Sequence, residues 1–320
     1  MTNRIGVNFC GMTMDAPTVG LSGCVGFGEE YTRIEGFSNA DLGAICLKGT
    51  TPEPRLGNPS HRVYETPAGM LNSIGLQNPG ARHVVDEILP ALNFSETRFI
   101  ANLSGSSVED YERITKIFDD SPIDALEINI SCPNVREGGM IFGNDPEMSA
   151  RVVEACRGAT DKALIVKLSP NQTDIAESAR RTIDAGADGL AVTNTFMGMA
   201  IDIHAGKPFI GRNSGGLSGP AIKPMSLLKV HQVYQVAKHH NVPIIGQGGI
   251  CSAEDALEFI IAGATAVGVG TALFYDPFAA KKINEGIDAF LVERGIASVS
   301  GLVGSLALND AQPIMAQAAE

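Results

Sequence analysis

Short apolar segments recur along the chain at the length expected for buried β-strands. Several are nearly continuous runs of isoleucine, valine, leucine and alanine, which is typical of strands covered on both faces. Eight segments are predicted as strands on this pattern: Ala16–Leu21, Ala44–Leu47, Arg98–Leu103, Ala125–Ile130, Ala163–Leu168, Gly189–Val192, Pro243–Ile245 and Ala266–Val269.

Segments with helical spacing or helix-start signals lie between these strands. Asp145 is followed by proline and glutamate, a typical helix start, and Ser252 has Asp255 three positions later, much like a capping box. The predicted helices are Val108–Phe118, Asp145–Ala159, Asp174–Ala185, Met225–His239, Ser252–Ile261 and Phe278–Arg294.

The alternation of strand and helix predicts an α/β fold, a (β/α)8 TIM barrel. A doubly wound open sheet is the main alternative, but no G-x-G-x-x-G motif follows an early strand. Long insertions follow strand 2, over Gly49–Thr97, and strand 6, over Phe196–Pro224, and such insertions usually form lids or small subdomains. The chain has no linker, low-complexity tract or repeat, so residues 1–320 are predicted to form a single domain.

Charge and hydropathy restrict the partners of the chain. The formal net charge of −12 disfavours binding to nucleic acid or to anionic membranes, both of which require basic patches. The N-terminus leads into no apolar segment of the signal-peptide kind, and the longest apolar stretch is too short and too rich in glycine to span a membrane comfortably. We therefore expect a cytoplasmic protein that binds neither nucleic acid nor a membrane.

Cysteine and glycine content bear on the chemistry. The 6 cysteines form no C-x-x-C pair, so neither a metal site nor an iron–sulfur cluster is expected within this chain. The 36 glycines among 320 residues are more than the usual share. They indicate a backbone that turns tightly or approaches a ligand closely.

Polar residues and glycines follow the predicted strands. In a TIM barrel the C-terminal strand ends meet at one mouth, where ligands bind. The residues at these ends are Ser22, Lys48, Gly49, Asn102, Asn129, Lys167, Asn194, Thr195, Gly248, Gly249, Gly270 and Thr271. Three asparagines and two lysines at corresponding positions indicate a ligand site rather than a set of turn caps.

The glycines after strands 7 and 8 point to a phosphate group. Barrels frequently bind phosphate at this position through backbone N–H groups and a nearby helix N-terminus. Gly248, Gly249 and Gly270 would let the backbone approach such a group without a clash. Tight turns that need positive φ are the alternative explanation.

Lys48 and Lys167 stand at the ends of buried strands, where a charge is costly unless it is paired. Three interpretations are open. The lysines can form a structural ion pair with an acid such as Glu127, stabilise charge on an anionic ligand or reduced cofactor, or act as Schiff-base lysines.

Cys132 differs from the other cysteines because it follows the fourth strand and opens a loop that contains several glycines. A thiolate in a mouth with two lysines can serve as a nucleophile or a general base. Cys156 is predicted to be a buried small hydrophobe, and none of the 6 histidines is assigned a role.

Taken together, these motifs resemble the class 1 dihydroorotate dehydrogenases, and most closely the catalytic subunit of class 1B. The similarity runs from about Pro17 to about Val303. It rests on the blocks Ser22-Gly-Cys-Val-Gly-Phe-Gly28, Lys48-Gly-Thr-Thr51, Pro54-Arg-Leu-Gly-Asn-Pro59, Met70-Leu-Asn-Ser-Ile-Gly-Leu-Gln-Asn-Pro-Gly80, Asn129-Ile-Ser-Cys-Pro-Asn134, Lys167-Leu-Ser-Pro-Asn171, Gly215-Gly-Leu-Ser-Gly-Pro220 and Gly246-Gln-Gly-Gly249.

The resemblance implies oxidation of (S)-dihydroorotate to orotate in pyrimidine biosynthesis, with FMN in the barrel mouth. Cys132 would remove the C5 proton of the substrate, and the C6 hydride would go to N5 of FMN. Ser131 would help to orient or cover this base. Lys167 would face the N1 region of the flavin, where negative charge grows on reduction.

The resemblance also implies two sets of binding residues. Those expected to bind the substrate are Lys48, Asn72, Ser73, Ile74, Gly75, Leu76, Asn129, Asn134, Asn194 and Thr195. Those expected to bind FMN are Ser22, Lys48, Gly49, Asn102, Asn129, Lys167, Thr193, Gly219, Gly248, Gly249, Gly270 and Thr271, with the last four on its phosphate.

Class 1B features imply a partner. The segments 26–29 and 138–143 look more like class 1B than class 1A. The resemblance therefore implies a separate subunit that carries FAD and an iron–sulfur cluster and passes electrons to NAD. It also suggests a homodimer as the core of a heterotetramer.

Several alternative functions are open. They are a class 1A-like enzyme that uses fumarate, an enzyme similar to dihydropyrimidine dehydrogenase, a Schiff-base lyase that uses Lys167, and a non-catalytic protein that binds a phosphorylated ligand. Lys48, Asn72 and the 72–76 block favour dihydroorotate, because they provide a place for its carboxylate.

Overall fold

The protein is described by a computed structural model, which covers residues 3–131 and 142–309. Its strands are β1 (Val7–Phe9), β2 (Met12–Met14), β3 (Thr18–Gly20), β4 (Ala44–Cys46), β5 (Val63–Thr66), β6 (Gly69–Asn72), β7 (Arg98–Leu103), β8 (Ala125–Asn129), β9 (Ala163–Lys167), β10 (Gly189–Val192), β11 (Phe196–Gly198), β12 (Ile201–Asp202), β13 (Lys207–Pro208), β14 (Gly215–Ser218), β15 (Ile244–Gln247) and β16 (Ala266–Val269). Its α-helices are α1 (Ala81–His83), α2 (Val108–Asp119), α3 (Pro146–Arg157), α4 (Ile175–Asp184), α5 (Lys223–Ala237), α6 (Ala253–Ala262), α7 (Ala272–Tyr275) and α8 (Ala279–Arg294).

Eight parallel strands close into a barrel in the order β3, β4, β7, β8, β9, β10, β15 and β16. The last strand pairs with the first, with Val267 opposite Thr18, so the sheet has no open edge. This closure confirms the TIM barrel and rules out the doubly wound open sheet. All eight predicted strands are present, although the first is shorter than predicted and the seventh lies slightly further along the chain.

The helices between the barrel strands also follow the prediction, because their N-terminal caps are local. Asp145 accepts hydrogen bonds from the backbone N–H groups of Glu147 and Met148 at the start of α3. Ser252 and Asp255 form a complete capping box at the start of α6. In the described part of the chain, no helix is long and apolar enough to cross a membrane.

The hairpin of β1 and β2 lies at the N-terminal end of the barrel. The Cys10 thiol donates a hydrogen bond to the carbonyl of Asp188, which immediately precedes β10. Arg98, the first residue of β7, donates to the carbonyl of Thr13. These contacts leave the C-terminal end of the barrel for other segments.

The two long insertions join in one antiparallel sheet, in the order β11, β14, β6 and β5. We call these four strands the cover sheet. Strand β6 from the first insertion pairs with β14 from the second, with Asn72 opposite Gly216. A Cβ atom on Gly216 would lie 2.7 Å from Cβ of Thr195, so this sheet packs directly on the segment that follows β10. The sequence predicted two insertions but not that they pair.

Candidate functional site

A cavity lies between the C-terminal ends of the barrel strands and the cover sheet. Residues in or just after each of the eight barrel strands contribute to its wall. The cover sheet contributes Val63, Met70, Asn72 and Ser218. In the register of the cover sheet, Val63 is opposite Asn72, and Met70 is opposite Ser218. Because side chains alternate along a strand, these four residues share the face that covers the mouth.

The cavity brings together nearly all of the predicted site residues that the structure describes. They are Ser22, Lys48, Gly49, Asn72, Ile74, Gly75, Leu76, Asn102, Asn129, Lys167, Thr193, Asn194, Thr195, Gly219, Gly248, Gly249, Gly270 and Thr271. Ser73 does not line the cavity; it is buried, and its hydroxyl oxygen accepts a hydrogen bond of 3.0 Å from Asn58. Cys132 and Asn134 fall between the two described ranges.

Lys167 occupies the floor of the cavity with a buried acid beside it. Its Nζ lies 3.6 Å from Oε1 of Glu127, and the two side chains are 8% and 1% exposed. The same carboxylate oxygen accepts hydrogen bonds from Nδ2 of Asn102 and from the thiol of Cys46. The ion pair that we considered for Lys167 is therefore present, and the lysine also faces the cavity.

A network of hydrogen bonds holds the residues at the ends of β8 and β10. Oδ1 of Asn129 accepts a bond of 2.9 Å from the hydroxyl of Ser131, which in turn accepts a bond of 2.7 Å from Nδ2 of Asn194. The Tyr111 hydroxyl donates to the carbonyl of Asn129 from helix α2. The backbone is thus firmly held up to Ser131, the residue before Cys132.

Three buried polar atoms in the cavity wall have no hydrogen-bond partner among the described residues. They are Oδ1 of Asn102, Oγ1 of Thr193 and Oε1 of Gln247. The amide nitrogen of Gln247 is occupied, because it donates to the carbonyl of Thr193 at 2.7 Å. A buried polar atom without a partner costs about 1–3 kcal/mol. A polar ligand in the cavity would supply such partners.

The glycines after β15 adopt conformations that other residues rarely tolerate. Gly248 and Gly249 have φ values of +129° and +85°. A Cβ atom on Gly248 would collide with Oγ of Ser226, and one on Gly249 would lie 2.9 Å from the backbone nitrogen of Lys223. Both glycines are therefore required by sterics, and they bring main chain to the cavity wall, as a phosphate-binding loop needs.

Some lining residues were not predicted from the sequence. They include Leu21, Cys24, Val63, Met70, Ser218, Ile222, Gln247 and Phe274. Gln247 belongs to a block already recognised after strand 7, and its polarity inside an apolar strand was an available signal. Val63 and Met70 lie in short strands of the insertion, where no apolar pattern marks the side that faces the barrel.

Cys24 is a second thiol at this cavity. Burial raises the pKa of its thiol to about 11, although the charges of Lys167 and Lys48 act in the opposite direction. At neutral pH it is a neutral thiol. Within residues 3–131 and 142–309, no group of three or more histidine, cysteine, aspartate or glutamate side chains is arranged to hold a metal ion.

Comparison with known proteins gives a consistent result. A sequence model of the dihydroorotate dehydrogenase family matches residues 4–291. The chain is 48% identical over 306 residues to a Desulforamulus reducens protein, and this alignment covers 95% of this chain and 99% of that relative. It is 49% identical over 307 residues to a Trichlorobacter lovleyi protein, with 96% and 99% covered. It is 47% identical over 303 residues to a Geobacillus kaustophilus protein, with 94% and 95% covered. Each of these relatives is named the catalytic subunit of dihydroorotate dehydrogenase B (NAD(+)).

Proposed function

Because the chain belongs to the dihydroorotate dehydrogenase family, we propose that it oxidises (S)-dihydroorotate to orotate with FMN bound at the barrel mouth. The observation that carries the proposal is the convergence of two lysines and several asparagines on one cavity under the cover sheet. A carboxylate needs the cations, and a flat ring with both donors and acceptors needs the amides.

The unpartnered atoms and glycine turns fit FMN. Oδ1 of Asn102 and Oε1 of Gln247 can accept from the ring N–H and ribityl hydroxyl groups of the cofactor. The backbone at Gly248 and Gly249, with Gly270 and Thr271, would hold its phosphate. When bound, FMN supplies the acceptor for the hydride that leaves C6 of the substrate.

The substrate would lie between the cofactor and the cover sheet. Lys48 would bind its carboxylate, and Asn72, Asn129 and Asn194 would hydrogen-bond its ring and fix its orientation. Val63 and Met70 would exclude water from the same face, which strengthens the electrostatic contacts inside the cavity.

Cys132 is proposed as the base that takes the C5 proton on its sulfur. Two observations support this role. The preceding residue, Ser131, is held by hydrogen bonds to Asn129 and Asn194, which both line the cavity. The other thiol of the cavity, Cys24, has its pKa raised to about 11 by burial and is a poor base at neutral pH.

We further propose that residues 1–320 form one FMN-binding domain that works in the cytoplasm with a second subunit. That subunit would carry FAD and an iron–sulfur cluster and transfer the electrons to NAD, with a homodimer of this chain at the core of a heterotetramer. The names of the relatives, which specify a catalytic subunit and NAD(+), support this arrangement.

The absorption spectrum of the purified chain tests the cofactor. We expect a flavin spectrum that bleaches when dihydroorotate is added without oxygen. A colourless protein that takes up no FMN would overturn the proposal. A colourless protein that borohydride traps covalently with a substrate would instead favour the Schiff-base lyase.

Cys132→Ala tests the base. The variant should retain FMN and lose reduction of the flavin by dihydroorotate. Cys10→Ala is the matched control, because Cys10 lies at the opposite end of the barrel. Wild-type reduction kinetics in Cys132→Ala would show that another group removes the proton.

The partner subunit is tested with NAD. This chain alone, loaded with FMN and given dihydroorotate, should reduce NAD at a negligible rate. Efficient NAD reduction without any added protein would contradict the proposed electron path.

A further inference from the structure

Glu127 is a buried carboxylate in β8 to which the proposed function assigns no role. Its side chain is 1% exposed, and it sits in the barrel interior beside the cavity floor. Burying a carboxylate costs several kcal/mol unless donors compensate it. A buried carboxylate in a barrel strand therefore calls for an explanation.

Three donors from three different strands converge on one oxygen of Glu127. Nδ2 of Asn102 in β7 donates at 2.5 Å, and the thiol of Cys46 in β4 donates at 3.3 Å. Nζ of Lys167 in β9 lies 3.6 Å away. Burial and the neighbouring charge of Glu127 both raise the pKa of Cys46 well above its ordinary value, so Cys46 stays a thiol and can only donate to the carboxylate.

Glu127 decides which end of the Asn102 amide points away from it. The NH2 group of Asn102 is the group that contacts Glu127, and it donates to the carboxylate oxygen. The carbonyl oxygen of Asn102 then points away from Glu127, and it is one of the buried atoms that lack a partner among the described residues. It lies 2.8 Å from the position that a Cβ atom on Gly49 would occupy, at the cavity wall.

Glu127 also offsets the charge of Lys167. An isolated ammonium at the cavity floor would favour every additional negative charge placed next to it. With a carboxylate beside it, the lysine attracts a negatively charged reduced flavin less strongly. With FMN bound, such a pair would set how readily the cofactor accepts electrons.

We infer that Glu127 is a positioning residue for the cofactor: it orients the Asn102 amide with its oxygen toward the flavin and lowers the reduction potential of the flavin by compensating Lys167. The inference rests on the proposed function, because it requires FMN in this cavity.

The test is the midpoint potential of the bound flavin in Glu127→Gln, measured by equilibrium titration against redox dyes. Removal of the carboxylate charge should raise the potential, by at least the equivalent of a tenfold change in the ratio of reduced to oxidised flavin, or about 30 mV for a two-electron couple. The dissociation constant of FMN should also rise, because glutamine can present either end to Asn102. Glu127→Asp, which keeps the charge, should lie closer to the wild type in potential.

A purely structural role for Glu127 gives a different result. Glu127→Gln would then unfold at lower urea concentration but keep the wild-type potential, and the inference would be wrong. Should the single variant fail to fold or to load FMN, Lys167→Gln and the double variant Glu127→Gln/Lys167→Gln replace it. The double variant leaves no unpaired buried charge from this pair. The midpoint potential of its bound flavin should lie above that of the flavin in Lys167→Gln. Equal potentials in these two variants would overturn the inference.

Failure of the inference is distinct from failure of the proposed function. If the wild-type chain binds FMN and is bleached by dihydroorotate, the function stands whatever Glu127 does. If the wild-type chain takes up no FMN, the function itself is wrong.

Discussion

At the scale of single residues, two thiols compete for the role of base, and their surroundings separate them. Cys24 lies in the cavity wall with its pKa raised to about 11 by burial. Cys132 follows a backbone that hydrogen bonds fix up to Ser131. Reactivity at neutral pH follows the thiolate fraction, which disfavours Cys24.

The pH dependence of flavin reduction should identify the thiol. A thiol is active as a base only when deprotonated, so the rate should increase with pH. A plateau well below pH 11 would assign the step to a thiol other than Cys24, as proposed for Cys132. If Cys24 were the base, the rate would continue to rise toward pH 11. Single-turnover reduction by dihydroorotate, followed by absorbance, distinguishes the two profiles.

The backbone conformation at Gly248 and the atoms around it require glycine at this position. Gly248→Ala places a methyl group at φ +129° and against Oγ of Ser226. The strain should lower the free energy of unfolding by about 1–3 kcal/mol and weaken FMN binding. Urea denaturation measures the first effect, and flavin fluorescence measures the second.

Gly301→Ala is the matched control for this variant. Among the described residues, and leaving aside Gly301, its chain neighbours and the backbone of its own helix, no heavy atom lies within 4 Å of a Cβ atom built on Gly301, and its φ is outside the left-handed region. Its stability should stay within about 0.5 kcal/mol of the wild type, as for most surface substitutions. Equal losses in both variants would mean that the strained turn at Gly248 has no special cost.

At the scale of elements, the N-terminus of helix α6 is joined to helix α5 by an ion pair. Ser252 caps its N-terminus, and Asp255 completes the capping box while it also pairs with Lys223 of α5 at 2.7 Å. Burial alone would raise the pKa of Asp255, but the hydrogen bonds from Lys223 and from the backbone of Cys251 and Ser252 outweigh burial, so this pKa is lowered.

The stability of this junction should depend on pH. A lowered native pKa means that Asp255 stabilises the fold above its ordinary pKa of 3.8 and loses this contribution as the pH falls through the native value. Asp255→Asn should therefore be less stable than the wild type at pH 7, and the difference should shrink near pH 3.

Ser252→Ala is the control variant. It should lower the free energy of unfolding by about 1 kcal/mol at pH 7 and keep the pH dependence that comes from Asp255. Urea denaturation at both pH values checks this, and a difference for Asp255→Asn that is the same at pH 7 and pH 3 would contradict it.

The cover sheet is the second element with a consequence for function. Its strands come from two insertions, and the pairing of β6 with β14 links residues more than a hundred positions apart. Nδ2 of Asn72 also donates to the carbonyl of Gly216 across this pair. Asn72, which is proposed above to bind the substrate, is thus held in place by the other insertion.

At the scale of the whole molecule, a bound ligand should contact both the barrel strands and the cover sheet and so stabilise the native state. All eight barrel strands and the cover sheet contribute to one cavity. A ligand that binds only the native state stabilises it, by about 2.7 kcal/mol at one hundred times its dissociation constant. FMN should therefore raise the midpoint of thermal unfolding.

Riboflavin is the matched ligand for that experiment, because it lacks the phosphate. If the turns at Gly248 and Gly270 hold the phosphate, riboflavin at the same concentration should stabilise the chain much less than FMN. Equal stabilisation by the two compounds would show that the phosphate does not bind there.

The sequence by itself determined the barrel strands, the principal helices and the polar residues and glycines at the strand ends that line the cavity. These features depend on local properties. Apolar runs mark strands that are buried on both faces, and caps such as Asp145 mark helix starts. Eight alternating units predict a barrel. Parallel strands bring their C-terminal ends to one side of it, so the residues that follow the strands are predicted to line the mouth.

Only the tertiary structure decided how the insertions pair and what lies beneath the mouth. Nothing local in β6 or β14 specifies their pairing, because the contact is antiparallel and long-range. The sequence offered Glu127 as one possible partner of Lys167, but its contact with Asn102 arises only because β7, β8 and β9 are neighbours in the closed barrel. Hydrophobic pattern and capping fix which segments form; the closure of the barrel fixes which buried polar atoms meet, and therefore which of them are left for a ligand.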